Sequence, residues 1–117
     1  MSWFRRLFSR SVRKEIIPTA LQQERRTALA KTMRSWAARE DELLDENVVS
    51  EYCSINWFDK FGPDDPDAET DTFFNDSLHF LQHFFSDADI RKSDPKFAAL
   101  EMTQLTRCIE RLEGNLN

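Results

Sequence analysis

His79 and His83 stand one helical turn apart, with Asp76 a turn before them and Asp87 a turn after. Imidazoles at i and i+4 can chelate one divalent ion, and a carboxylate on the same face can complete its shell. The quartet Asp76, His79, His83 and Asp87 is therefore the sharpest metal candidate in the chain. Cys53 and Cys108 invite a two-cysteine, two-histidine count. They lack the close C-x2-C spacing of structural zinc sites, and Cys108 falls on an apolar helical stripe. Solvated histidines on a polar helix face are the plainer expectation, with no metal or cofactor.

Asp65, Asp67, Glu69 and Asp71 alternate in the manner of a calcium loop. Thr70 occupies the sixth position, where glycine makes the turn, and Asp76 rather than glutamate occupies the twelfth. A solvated acidic loop fits better, offering Asp64, Asp65 and Asp67 to a basic protein partner. Just before it, Trp57, Phe58 and Phe61 supply aromatics that suit the anchor of such an interface, or the closure of a core. No G-x-S-x-G, glycine-rich phosphate loop or H-E-x-x-H occurs, and two glycines cannot furnish a phosphate cradle. The expectation is a protein that is not an enzyme.

At the N-terminus Trp3, Phe4, Leu7 and Phe8 share one side of a helix, while Arg5, Arg6, Arg10 and Arg13 lie mostly on the other. Aromatics opposite arginines suit a helix lying at a headgroup boundary. The same apolar face suits docking on the domain or on a partner. In a eukaryote the segment would also pass as a mitochondrial targeting sequence. Residues 1–39 carry ten lysines and arginines against two acids, a net +8, whereas residues 40–117 carry a net −13. Either the two halves present different surfaces or they neutralise each other on folding. So acidic a remainder repels polyanions, which disfavours direct binding of free nucleic acid.

These residues must be positioned by helices. The 117 residues are 40% hydrophobic and 32% charged, with two glycines and four prolines, too few turn formers for a many-stranded β fold. A first helix is predicted over about 2–17, ended by Pro18. Thr19 with Gln22 forms a capping-box pattern that opens a second helix running to about Glu46. Residues 47–56 continue as helix and give way to an aromatic exit, then to the Pro- and Asp-rich loop 62–71. The next helix spans Thr72 to Ser86, with phenylalanines over a broad arc and Asn75, Asp76, His79, Gln82 and His83 on its polar side. A polar connection leads to a last helix with Ser93 as N-cap, Pro95 in its first turn and Gly114 beyond its end.

The predicted fold class is all-α, a compact bundle or orthogonal array of three to four helices with the basic amphipathic N-terminal helix at its periphery. The expected division is 1–17 for that helix and 18–117 for a single helical domain. The expected function is that of a small interaction protein, an adaptor, assembly factor or regulator. It would be cytoplasmic, or mitochondrial in a eukaryote, bind a protein with a basic surface, and be able to sit peripherally on an anionic membrane surface. Two alternatives are an inhibitor of phage or mobile-element type whose acidic half imitates nucleic acid, and a metal-binding helical protein built on His79 and His83.

Overall fold

A computed structural model describes residues 17–54 and 61–114, and among them all regular structure is helical. Five α-helices occur there: α1 (Ala20–Ala37), α2 (Glu46–Ser54), α3 (Thr72–Ser86), α4 (Ala88–Ser93) and α5 (Pro95–Leu112), with 3-10 turns at Glu40–Leu44 and Ala68–Thr70. The all-α class holds. The predicted first helix lies outside the described residues.

α1 starts where its sequence says it should. The Thr19 hydroxyl accepts from the Gln22 backbone N–H at 3.1 Å, and the Gln22 side chain accepts from the Thr19 N–H at 3.0 Å, so two orphan donors are satisfied reciprocally. Its end differs from the prediction. The helix stops at Ala37 instead of running to Glu46, and the chain tightens through Ala38 N–H to Ser35 O and Arg39 N–H to Trp36 O. No glycine or proline marks this break. A straight helix through 40–46 would stack Asp41 on Asp45 and Glu42 on Glu46, each like-charged i,i+4 pair costing about 0.2–0.5 kcal/mol. The bend relieves that repulsion and turns Leu43 into the core. Asp45 then restarts the chain: its carboxylate accepts from Asn47 N–H at 2.9 Å, and α2 follows.

α2 is pinned by aromatics. The Tyr52 ring meets Trp36 of α1 at 4.3 Å between centroids, and Trp36 and Tyr52 both meet Phe85 of α3, at 5.3 and 5.7 Å. Edge and tilted geometries of this kind add about 0.5–1.5 kcal/mol per pair beyond area burial.

α3 matches its predicted span from Thr72 to Ser86, and Asp71 caps it. It is the central element. Phe74, Phe80, Leu81, Phe84 and Phe85 are fully enclosed, and α1, α2, α4 and α5 all pack against it. Two residues assigned to its polar side, or to none, are also inside: Asp76 is buried, as is Ser77. The arc is wider than the phenylalanines alone imply because the Ser77 hydroxyl is satisfied locally, donating to Phe73 O at 2.7 Å.

The predicted polar connection after α3 contains α4, a turn and a half of helix. The cap of α5 is Asp94, not Ser93: its carboxylate accepts from the backbone N–H of Lys96 and of Phe97, both at 3.1 Å. Ser93 instead ends α4, its hydroxyl donating to Ile90 O. Pro95 takes the first helical position, where its missing N–H costs nothing, and Gly114 stops the helix at φ +89°. Leu105, Cys108, Ile109 and Leu112 enter the core from α5, which runs along α1.

Candidate functional site

The predicted metal quartet does not converge. His79 and His83 are exposed, Asp76 is buried, and Asp87 turns toward α5. Among the described residues no group of three or more histidines, cysteines, aspartates and glutamates is placed to hold a metal ion. Cys108 adds nothing to such a set. Its thiol is enclosed, donates to the Ser77 hydroxyl at 3.3 Å, and is pushed up to about 12 by burial, with Ser77 and Arg111 pulling weakly the other way. It is a core residue with an inert thiol.

The acidic loop is divided between surface and structure. Asp64 and Asp67 are exposed and Asp65 half-buried. Asp65 has a local task, accepting from Asp67 N–H at 2.9 Å. Asp71 belongs to the fold: it caps α3 through Phe74 N–H at 3.2 Å and takes two parallel bonds from Arg26, at 2.8 and 2.9 Å. Alternating acids therefore do not line one cation cavity. Phe61, expected as a partner contact, is 3% exposed and meets Phe74 edge-on at 5.8 Å, so the core takes it. Trp57 and Phe58 lie outside the described residues, as do Trp3, Phe4, Arg5, Arg6, Leu7, Phe8, Arg10 and Arg13.

Among the described residues, arginines of the basic third of the chain pair with acids further along it. Arg25 of α1 is buried; its guanidinium donates to Phe61 O at 2.8 Å and lies over the Phe74 ring at 4.9 Å. Arg26 goes to Asp71 and Arg34 to Glu113, each as a two-point pair. The Arg34 hydrogen bond holds the Glu113 carboxyl below its ordinary value. Arg39 reaches Glu42 more loosely, at 3.7 Å. α1 thus turns its arginines inward or pairs them; Lys31, Lys92, Lys96 and Arg107 stay exposed, among a larger number of exposed acids. From 40 to 51 there are six acids and no lysine or arginine, and Asp41, Glu42, Asp45, Glu46 and Glu51 are all exposed. The bend after α1 brings this second acidic stretch onto the surface.

A buried charged centre joins four elements on α4. Arg91, 5% exposed, donates from Nε to both Glu40 oxygens at 2.9 and 3.2 Å, and from Nη1 to Phe84 O at 2.7 Å and Glu101 Oε1 at 2.5 Å. Its guanidinium also lies 3.7 Å from the Phe84 ring centroid. Glu101 is 1% exposed. Burial and a hydrogen bond with the Asp87 side chain push its carboxyl up to about 8, against the lowering pull of Arg91. Neither Arg91 nor Glu101 was marked by motif. Glu101 could have been found by register, since 101, 105, 108 and 112 form one helical stripe with Leu105, Cys108 and Leu112. Arg25 stands likewise at the head of the stripe 25, 29, 33, 36.

Comparison with protein-family models, with curated proteins and with solved structures finds no match. The class that fold and surface define is an all-α chain with internally paired arginines and an outward acidic face. Among the described residues no helix is long and apolar enough to cross a membrane.

Proposed function

We propose that this chain is a small non-enzymatic interaction protein, an adaptor, assembly factor or regulator, whose acidic face binds a basic protein surface. The observation that carries this reading is the fate of the charges. The arginines of α1 and α4 are taken up mainly by Asp71, Glu113, Glu40, Glu101 and Phe61 O, while Asp41, Asp45, Glu46, Glu51, Asp64 and Asp67 face solvent. A local acidic patch such as 40–51 steers encounter with a basic surface, and apolar contacts then set residence time. The array of five described helices carries that face. The N-terminal stretch 1–17, a basic amphipathic helix by its sequence, supplies a second and oppositely charged contact, to the partner or to an anionic membrane surface.

The test is affinity capture from the native host with the full chain, beside Asp41→Lys/Asp45→Lys/Glu46→Lys. A partner with a basic surface retained by the parent and lost by the triple variant supports the reading. Capture indifferent to the reversal overturns it. Competition of DNA for the captured partner would redirect the reading to imitation of nucleic acid, which uses the same acidic face. Sedimentation with phosphatidylglycerol vesicles, before and after Trp3→Ala/Phe8→Ala, decides whether the N-terminal contact is lipid.

A further inference from the structure

We infer that the buried Glu101 carboxyl carries a proton in the folded chain, its unpartnered Oε2 turned to Asp87, and that losing this proton loosens the joint between the first 3-10 turn, α4 and α5. Glu101 Oε1 is satisfied by Arg91. Glu101 Oε2 and Asp87 Oδ2 are both buried and receive no N–H or O–H from the described residues. The hydrogen-bonding neighbour that raises the Glu101 carboxyl is the Asp87 side chain. Ionised carboxylates are acceptors only, so a bond between them requires that one carry a proton.

The surrounding charges agree. One cation, Arg91, pairs with Glu40 from the 3-10 turn and Glu101 from α5, and Asp87 from the α3–α4 turn adds a third carboxyl beside Glu101. Glu40 is partly open to water, and Asp89 and Lys92 on α4 are exposed. Among the described residues Asp87 and Arg91 are the charged groups that act on Glu101; α1 and α3, packed on α5, bring no other. With both carboxyls ionised the centre holds two surplus negative charges, and with Glu101 protonated only one. α4 has six residues, too few to stand as an isolated helix, and Arg91 ties it to both neighbours. Ionisation of Glu101 sets two like charges side by side at that tie.

In the folded chain Glu101 gives up its proton near 8, whereas a free glutamate does so near 4.5. Between those values the folded chain binds more protons than the unfolded one, so stability is highest at the acid end, falls with rising pH, and levels off above about 8. The experiment compares urea unfolding of the full chain and Glu101→Gln from pH 5 to 9. The amide of Gln can donate to Asp87 and accept from Arg91 without titrating. The ratio of parent to variant folding constants should fall by as much as about tenfold per pH unit before levelling. Hydrogen exchange at the α4 amides should speed up above the levelling point in the parent alone. Should Glu101→Gln not fold, Asp87→Asn replaces it, again donating without titrating. Parallel stability curves, or absence of a protonated-carboxyl infrared band at pH 7 that the substitution removes, would overturn the inference.

Discussion

Asp71 does two jobs with one carboxylate, and removing it should show how much each is worth. Asp71→Ala deletes the α3 cap, a loss of about 1 kcal/mol. It also strands the Arg26 guanidinium, whose side chain is 15% exposed beside the Phe73 ring. Removing one partner of a buried pair costs about 3–5 kcal/mol, and the residual exposure of Arg26 argues for the lower end. The expected total is about 3–4 kcal/mol, a large part of the 5–15 kcal/mol that hold a typical domain. Asp71→Asn keeps the cap, since asparagine and aspartate cap about equally well, and retains one acceptor for Arg26; it should cost about 2 kcal/mol. Urea unfolding followed by far-ultraviolet circular dichroism measures both, provided the slope with denaturant is unchanged. Adding Arg26→Ala closes a cycle whose coupling should fall at about 1–3 kcal/mol. A loss of no more than about 1 kcal/mol for Asp71→Ala, the cap alone, would refute the view that Arg26 and Asp71 hold α1 to α3.

Gly62 sits at φ +69°, and a Cβ there would lie 3.1 Å from Arg25 Cγ and 3.2 Å from its Cα, so Gly62→Ala should lose about 2–3 kcal/mol in the same unfolding assay. Gly114, at φ +89° with open space around it, is the control: Gly114→Ala meets only the left-handed strain, about 1 kcal/mol. Cys108 should resist iodoacetamide at pH 8 in the folded chain, because burial keeps its thiol protonated up to about 12, and should react once urea unfolds it. Peptide mapping separates it from Cys53.

Short-range signals in the sequence were enough for the elements that begin and end on local chemistry. Thr19 and Gln22 cap α1 as their spacing requires, and the Asp-rich loop before Thr72 and the phenylalanine arc after it delimit α3. The end of α1 carries no glycine or proline, and Ala38, Arg39 and Glu40 are acceptable in a helix; the like-charged pairs beyond favour the bend, and Glu40 reaching Arg91, fifty-one residues away, holds it. Asp94 displaced Ser93 as a cap because α4 claims Ser93 for its own last turn. The charged centre was hidden for a different reason. Glu101 and Arg25 occupy apolar registers, and reading a stripe by its hydrophobic members passes over the charged residue at its head. His79, His83, Asp76 and Asp87 illustrate the reverse. Their spacing along α3 is right for chelation, but the helix turns them toward different surroundings.

Amphipathic helices of similar length can be stacked in more than one order with nearly the same oil-like burial, so apolar surface alone discriminates weakly between topologies. Arg25 and Arg91 do discriminate. Each finds an acceptor on a segment remote in sequence, Phe61 O for one and Glu40 for the other. A mispaired arrangement would carry the same two guanidinium groups into the interior with nothing to receive them, at a cost of several kcal/mol each. In this chain two side chains act as the key that admits one threading of the helices and rejects its near-equals.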